Sequence, residues 1–369
     1  MALALTLGRR GLGTTAPNPA VGAVVVDPVR DIVLGRAWTA PGGRPHAEPV
    51  ALERAGAAAH GATLYVTLEP CSHHGKTPPC ADAVVAAGIA RVVVGIEDPD
   101  PRVAGRGLAH LEAAGIAVRR FVLADEADRL TRGHILRVTE RRPFVQVKLA
   151  VDAAGDVPRG GAGQPTWVTG EAARRMGHLL RAETDAILVG RGTLVDDDPE
   201  LTCRLPGAEG RSPVRVVLAG QLAVPVTGRA LATARQVPVW IYAAPDAPAE
   251  RGVALAETGA LVRRVRTLDG ELWLPAILED LVAHGITRLL VEGGPTMWRA
   301  FDRAGLVDEV VLFQGGGPAP VPPEQVVARY LPQFAPRLVE TRSVGPDLMY
   351  VFARAGGVRR TASAPAQTR

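Results

Sequence analysis

The most informative residues are His46-Ala47-Glu48 and Pro70-Cys71-Ser72-His73-His74-Gly75-Lys76-Thr77-Pro78-Pro79-Cys80. A strand pattern over Thr63–Leu68 lies between the two motifs. One imidazole and two thiolates form a ligand set for zinc, and they leave the fourth corner of a tetrahedron open for water, as in catalytic sites. Glu48, two residues after the histidine at a predicted helix start, is placed to move a proton between that water and a leaving amine. The sequence therefore predicts a catalytic zinc site with three ligands, His46, Cys71 and Cys80.

The order His-x-Glu, Pro-Cys and a second Cys is typical of zinc nucleobase deaminases, in which water displaces an amine from a ring carbon. Usually two residues lie between their cysteines, whereas eight residues lie between Cys71 and Cys80. Cys80 follows two prolines at a predicted helix start, where the helix dipole favours a thiolate. Two alternatives stay open at this point. One is a structural zinc with His73 or His74 as fourth ligand, and the other is a pair of inert buried thiols.

Length and composition restrict the class of protein. A chain of 369 residues with 47% hydrophobic and 22% charged residues is large enough for two folded cores. No apolar run reaches the roughly 18 residues of a membrane span, and Arg9 and Arg10 follow too few apolar residues for a secretion signal. A net charge of +4 and few aromatic residues argue against a nucleic-acid-binding surface. Three cysteines cannot build a disulfide framework, so we expect a cytoplasmic protein.

Residues 1–140 alternate β-branched runs with Ala-rich segments, which predicts an α/β domain. The predicted strands are Val21–Val26, Thr63–Leu68 and Arg91–Ile96. The predicted helices are Ala47–Ala59, Ala81–Ala87, a segment around Leu108 and Leu111, and Asp125–Val138. Glu140-Arg141-Arg142-Pro143 then marks the predicted domain boundary, because proline cannot continue the last helix.

Residues 143–355 repeat the alternation and predict a second α/β domain. The predicted strands are Phe144–Leu149, Ala186–Val189, Val214–Leu218, Val237–Tyr242, Arg288–Glu292 and Val310–Phe313. The predicted helices are Ala172–Arg181, capped by Thr169, and Leu274–Ala283. Residues 356–369 lack periodicity, and we expect them to form a disordered tail.

The motifs together resemble the bifunctional riboflavin-biosynthesis deaminase/reductase family. The long cysteine spacing is this family's own variant of the deaminase pattern, which makes the resemblance specific. It covers most of the chain. The matching N-terminal segments are Thr15-Ala16-Pro17-Asn18-Pro19-Ala20-Val21-Gly22, Pro45-His46-Ala47-Glu48, Thr67 through Cys80, and Val103-Ala104-Gly105-Arg106-Gly107.

The resemblance implies a cytidine-deaminase-like α/β/α domain followed by a dihydrofolate-reductase-like α/β domain. It also implies deamination of 2,5-diamino-6-(5-phosphoribosylamino)pyrimidin-4-one, followed by NADPH-dependent reduction of the ribosyl group to ribityl. The implied cofactors are Zn²⁺ and NADPH, and the implied partner is a small pyrimidine ribonucleotide. Relatives form oligomers, so a homo-oligomer is expected.

Carried over by position, Asn18 would bind the pyrimidine, although a turn role beside two prolines explains it equally well. His73 and Lys76 would meet the substrate phosphate, or would belong to a solvated loop. In the second half, ordinary surface charge is the alternative for the charged residues. There the resemblance implies substrate contacts for Lys148, Arg181, Leu201, Arg204 and Glu292, and NADPH contacts for Trp167, Thr193, Asp197 and Gly294.

Four departures from the family pattern bear on activity. Asp100 replaces an asparagine in the first half. In the second half, a Ser-x-Asp-Gly motif of the family is replaced by Asp152-Ala153-Ala154-Gly155-Asp156, so the hydroxyl is lost and the acids are moved. A serine before the tryptophan is absent from Pro165-Thr166-Trp167. A Pro-rich segment of the family is replaced by Gln314-Gly315-Gly316-Gly317-Pro318. A new carboxylate there would repel an anionic cofactor and substrate.

These departures lead to the hypothesis of a weakened or redirected reductase half. The alternative function is accordingly a specialised-metabolism paralogue that deaminates a related aminopyrimidine nucleotide. A third possibility is a nucleotide-binding or regulatory module without activity. The presence of Glu48 beside all three ligands argues against it, because metal binding alone does not need a proton shuttle.

Overall fold

The computed structural model describes residues 1–75, 78–157, 168–316 and 320–355. The helices are α1 (Ala2–Arg9), α2 (Ala47–Ala55), α3 (Cys80–Ala86), α4 (Arg106–Ala113), α5 (Ala124–Thr139), α6 (Glu171–Ala182), α7 (Arg191–Asp197), α8 (Arg229–Ala232), α9 (Ala249–Glu257), α10 (Leu274–Ala283), α11 (Pro295–Arg303) and α12 (Pro323–Tyr330). Short 3-10 turns lie at Pro41–Gly43, Gly56–Ala59 and Glu209–Arg211.

The strands are β1 (Gly22–Asp27), β2 (Ile32–Trp38), β3 (Thr63–Leu68), β4 (Arg91–Ile96), β5 (Ala117–Arg119), β6 (Phe144–Val151), β7 (Ala186–Gly190), β8 (Val214–Leu218), β9 (Val239–Ala243), β10 (Leu261–Arg264), β11 (Thr267–Leu268), β12 (Glu271–Leu272), β13 (Arg288–Val291), β14 (Glu309–Gln314), β15 (Pro336–Val344) and β16 (Asp347–Arg354). The predicted bounds of β3, β4, β8 and α10 are confirmed residue for residue.

The first five strands form a sheet in the order β2-β1-β3-β4-β5. β1 is antiparallel to β2 and β3, and the pairs β3–β4 and β4–β5 are parallel. Apolar residues of α2, α3 and α4 pack on one face of this sheet, and those of α1 and α5 pack on the other. This is the predicted α/β/α arrangement. Since β3 is covered on both faces, its carboxyl end is the accessible place for polar chemistry.

Two local predictions need correction. The helix predicted over Ala47–Ala59 ends at Ala55, because Gly56 has φ +56° and the chain continues as a 3-10 turn. Thr169 does not cap α6, which begins at Glu171. The amide of Gly170 instead donates to Asp347 Oδ2 at 2.7 Å. The residue that precedes helix α6 is therefore bound by a side chain from the start of β16.

The chain divides into two compact units. The first comprises Met1–Phe144 and Gly177–Leu290, and the second comprises Val145–Met176 and the described residues from Val291 onward. Neighbouring strands follow the order β10-β9-β8-β7-β13 in the first unit, where β13 counts up to Leu290, and β6-β14-β16-β15 in the second. The described residues contain no helix long and apolar enough to cross a bilayer. The predicted disordered tail, residues 356–369, lies outside the described residues.

Candidate active site

His46, Cys71 and Cys80 come together at the carboxyl end of β3. His46 Nδ1 lies 3.3 Å from Cys80 Sγ and 3.8 Å from Cys71 Sγ. The three potential ligand atoms all lie within 4.8 Å of one another. The structure therefore brings together, from two separate motifs, the three side chains that the sequence predicts as ligands.

Local structure explains how the two cysteines meet across a long loop. Cys71 follows β3, and Cys80 is the first residue of α3. The Cys80 amide donates to Cys71 Sγ at 3.3 Å, and the Ala81 amide donates to the Cys71 carbonyl at 3.2 Å. Hydrogen bonds from Cys80 and His46 lower the pKa of the Cys71 thiol to about 4. Cys80 thus lies back against Cys71, and these hydrogen bonds favour the thiolate form of Cys71.

The donor set fits zinc. For bond lengths near 2.1 Å to nitrogen and 2.3 Å to sulfur, tetrahedral geometry gives N···S separations of about 3.6 Å. The observed separations of 3.3 and 3.8 Å bracket that value. Within the described ranges, the cluster contains these three ligands and neither His73 nor His74. This composition favours an open catalytic site over a closed structural one.

Glu48 lies in the first turn of α2, two residues after His46, and its side chain is buried at 3% exposure. Burial raises the pKa of Glu48 to about 7, since desolvation disfavours the carboxylate. A carboxyl group with this pKa exchanges protons readily near neutral pH. The position and environment of Glu48 are those expected of a proton shuttle.

Asn18 lies beside the segment that leads to His46. Its Nδ2 donates to the Gly43 carbonyl at 2.9 Å, and a Cβ at Gly43 would lie 2.4 Å from that nitrogen. Gly43 also has φ +81°, so glycine is required there on both grounds. The Asn18 amide is thus fixed by the main chain just before the zinc ligand.

His73 lies in the loop between the cysteines, and its Nδ1 is buried without a hydrogen-bond partner among the described residues. A Cβ built at Gly75 would lie 3.4 Å from Arg44 Nη2 and 3.9 Å from His73 Nε2, which places Arg44 beside this loop. Sequence reasoning missed Arg44, although its position two residues before His46 is a usable signal. Lys76 lies outside the described residues.

Glu69 is a second residue that sequence reasoning missed. It is 3% exposed, and its carboxylate accepts main-chain hydrogen bonds at 2.9 to 3.3 Å from the amides of Asp98, Gly105, Gly107 and Leu108. These contacts hold the loop after β4 against Glu69, which directly precedes Pro70 and Cys71. Glu69 belongs to the motif that contains Pro70 and Cys71, but the amides that donate to its carboxylate are remote from it in sequence.

In the second unit, Lys148 on β6 lies beside Glu292, with 3.6 Å between Nζ and Oε2. Gly294 is the N-cap residue of α11. A Cβ added to Gly294 would meet no described atom within 4 Å, so there is open space beside this residue at the N-terminus of α11. An open helix start suits an anionic group.

The first unit contains the other residues predicted for reduction, except Trp167, which lies outside the described residues. Arg181, at the end of α6, donates to the Thr202 carbonyl at 3.0 Å, and Arg204 pairs with Glu200 at 3.2 Å. Leu201 has φ +58°, and its side chain is 2% exposed within the apolar core. Leu201 as a whole is therefore nearly inaccessible to a ligand in this structure. Two further predicted residues, Thr193 and Asp197, lie on α7.

Comparisons with known proteins agree with both halves of this description. The family model for the RibD C-terminal domain matches residues 143–350, more than half of the chain. The chain belongs to the RibD family. A second model, the cytidine and deoxycytidylate deaminase zinc-binding region, matches residues 1–96. The predicted fold class is thereby confirmed, and the protein is an enzyme with a deaminase half and a reductase half.

Individual RibD proteins are similar over nearly the whole length. The riboflavin biosynthesis protein RibD of Bacillus amyloliquefaciens is 42% identical over 85% of this chain and 82% of its own. The Acinetobacter baumannii RibD structure has a TM-score of 0.79 at 32% identity, covering 96% of this chain and 97% of that one. A Thermotoga maritima diaminohydroxyphosphoribosylaminopyrimidine deaminase/5-amino-6-(5-phosphoribosylamino)uracil reductase has a TM-score of 0.77 at 31% identity, with coverage of 96% and 97%.

The structure also shows how two departures from the RibD pattern are accommodated. The Asp156 carboxylate accepts a hydrogen bond from Arg329 Nη1 at 3.0 Å, and the Asp156 amide donates to Asp152 at 2.9 Å. Asp100 forms a bidentate pair with Arg102, including a 2.6 Å contact. Both carboxylates have an arginine partner, and for Asp156 this reduces the repulsion of anionic ligands expected in the second half.

Replacing Asp100 by asparagine tests whether this pair is structural. Arg102 holds the pKa of Asp100 at about 2, below the roughly 3.9 of an unfolded aspartate. The pair therefore stabilises the fold above pH ~4, and this contribution disappears as the pH falls towards 2. Because Arg102 is 65% exposed, water screens the pair, and we expect Asp100→Asn to lower the free energy of unfolding by about 1 kcal/mol at pH 7.

Urea unfolding at pH 7 and pH 3 measures the effect, which should shrink at the lower pH. Asp269→Asn, at an exposed turn between β11 and β12, is the matched control and should change little at either pH. An equal loss of stability by Asp100→Asn at both pH values would contradict the assignment to an ion pair.

Proposed function

We propose that this RibD-family enzyme first hydrolyses the 2-amino group of 2,5-diamino-6-(5-phosphoribosylamino)pyrimidin-4-one and then reduces the ribosyl group to ribityl with NADPH. Deamination consumes one water and releases one ammonia, so a ring C–N bond is exchanged for a C–O bond. The observation that carries the proposal is the three-ligand cluster with buried Glu48 beside it. The family membership of both halves supports it.

The residues of the first half would divide the work of deamination. When zinc is bound by His46, Cys71 and Cys80, it supplies the Lewis acidity that activates water near neutral pH. Glu48 takes the proton from the attacking water and gives it to the leaving amine. Burial raises the pKa of Glu48, which favours proton exchange near neutral pH.

Recognition of the nucleotide would use the residues around this centre. The Asn18 amide, fixed by Gly43, is proposed to pair with the pyrimidine edge, since it has both a donor and an acceptor. The buried, unpartnered Nδ1 of His73 supports a polar contact in the loop that also contains Lys76. Arg44 adds a further positive charge beside that loop, which suits a phosphate.

Residues of the second half would bind the cofactor and the ribosyl phosphate. We propose substrate contacts for Lys148, Arg181, Leu201, Arg204 and Glu292. We propose NADPH contacts for Trp167, Thr193, Asp197 and Gly294. The open space beside Gly294, the N-cap residue of α11, supports binding of a cofactor phosphate at this helix N-terminus. We propose a functional division at residues 141–142, with domains 1–140 and 143–355.

The competing functions receive less support. Similarity to RibD proteins over both halves favours the bifunctional enzyme over a specialised paralogue with a weakened reductase. A cytoplasmic location is proposed on the three free thiols. Assembly into a homo-oligomer stays a prediction.

Product masses test the proposed function directly. Purified protein is incubated with the diaminopyrimidine ribonucleotide, with and without NADPH. Without NADPH, we expect a gain of about one dalton, as oxygen replaces NH. With NADPH, about two further mass units should appear, from a hydride and a proton. Absence of the first gain in zinc-loaded protein would overturn the deaminase assignment, and absence of the second would overturn the reductase assignment.

Replacing Lys148 by methionine separates the two activities. Loss of its ammonium group near Glu292 should lower kcat/KM for reduction about 100-fold, because a positioned cation is lost from the anionic site. Deamination should stay unchanged. Lys148→Arg, which keeps the charge, should recover part of the reduction, and Lys76→Met should show the reciprocal pattern. Equal reduction by wild type and Lys148→Met would remove Lys148 from the site.

A further inference from the structure

The segment of residues 10–18, here called the Asn18 loop, is a series of turns linked to the zinc centre. The Thr14 amide donates to the Gly11 carbonyl at 3.1 Å, and the Asn18 amide donates to the Thr15 carbonyl at 3.0 Å. The Gly42 amide donates to the Thr14 carbonyl at 2.8 Å. Since Asn18 also binds Gly43, a shift of this loop would move Asn18 and the residues just before His46 together.

The Asn18 loop is held from a distant part of the chain. Arg211 ends the 3-10 turn Glu209–Arg211, within the residues matched by the RibD C-terminal domain. Its Nη2 donates to the Leu12 carbonyl at 2.5 Å and to the Arg10 carbonyl at 3.3 Å. A guanidinium group of the reductase half thus satisfies main-chain acceptors at the start of the loop that carries Asn18.

Close packing reinforces this attachment. Gly13 has φ +71°, and a Cβ there would lie 2.3 Å from the Ala182 carbonyl oxygen. A cavity of about 20 Å³ is lined by residues of both halves, among them Gly13, Asn18, Asp185 and Thr287. The Asn18 loop therefore rests on the reductase half with little room to adjust.

We propose that Arg211 is a positioning residue for deamination, and that the reductase half thereby completes the pyrimidine-binding part of the deaminase site. This inference rests on the proposed function, because it takes Asn18 as the pyrimidine contact. Arg211 acts through the Leu12 carbonyl and the Asn18 loop, and it has no contact with the zinc ligands among its described hydrogen bonds. Its loss should weaken substrate binding more than the chemical step.

The test is Arg211→Met in the full chain, with separate measurements of the two activities. We expect KM for the diaminopyrimidine ribonucleotide to rise about tenfold, the equivalent of one lost hydrogen-bonding group, while kcat changes less than about twofold. Zinc content and the KM for reduction should equal those of wild type. Arg211→Lys, which keeps one donor, should recover part of the increase in KM. Gly13→Ala should raise the same KM, because the added Cβ would clash with the Ala182 carbonyl and shift the Asn18 loop.

The matched control is Arg251→Met. Arg251 also belongs to the reductase half and donates to a main-chain carbonyl, that of Gln221 at 3.2 Å, but it is remote from the Asn18 loop in sequence and contacts. Its deaminase KM should equal that of wild type. An unchanged KM in both Arg211→Met and Gly13→Ala would overturn the inference while leaving the proposed function intact. Absence of deamination in wild type would instead overturn the proposed function.

Discussion

Glu48→Gln should abolish ammonia release while the protein keeps its zinc. Glutamine has the shape of glutamate and fits the same buried position, but it cannot accept and return a proton. General acid–base catalysis contributes about 10² to 10⁴ in rate, and Glu48 would serve two proton transfers, so we expect a loss of at least 10³-fold. Ammonia release and metal content, measured on the same preparation, check the prediction.

Glu53→Gln is the control for this variant. Glu53 lies on the same helix, α2, and is exposed, so the same change of charge should leave deamination intact. Undiminished deamination by Glu48→Gln would refute the assigned role. Loss of zinc in Glu48→Gln would show that Glu48 supports the ligands rather than the proton transfer.

Cys80→Ala should remove both zinc and deamination. Cys80 is 3% exposed at the first position of α3, and its replacement leaves two protein ligands for a metal that is normally held by at least three. We expect zinc to fall from about one equivalent to near zero and deamination to become undetectable. Reduction of supplied deaminated substrate should continue, since the proposed reductase residues belong to the second half.

Cys203→Ala provides the comparison, because Cys203 is also a buried free thiol and lies outside the cluster. This variant should keep its zinc and its deaminase activity. One equivalent of tightly held zinc in Cys80→Ala would show that the metal is bound elsewhere or by other ligands.

The clustering of His46, Cys71 and Cys80 was predictable because their spacing is a local signal: each motif immediately precedes or follows a regular element. No role was predicted for Arg44, Glu69 or Arg211. Arg44 and Glu69 stand next to the motifs in sequence, but the contacts of all three join residues that only the tertiary fold brings together. Arg211 is the extreme case, since it reaches the Leu12 carbonyl across about half of the chain.

The fold shows the same contrast. Largely buried strands such as β3 and β4 consist mainly of apolar and β-branched residues, and their bounds were predicted correctly. The hairpin of β15 and β16 was missed, since β15 is largely exposed and its sequence lacks an apolar run. Helix α1 was missed because the opening residues were considered only as a leader. The family resemblance predicted Leu201 as a substrate contact. The sequence alone does not show that its side chain is buried, because that burial depends on the surrounding core.

Four amide hydrogens converge on Glu69, and this arrangement affects how the enzyme can change over evolution. The loop that begins at Asp98 keeps its path through main-chain groups, which every amino acid except proline possesses. Substitutions of exposed side chains in this loop should therefore leave its path unchanged. Asp100 is an exception, because its carboxylate accepts a hydrogen bond from the Arg102 amide and pairs with the Arg102 side chain.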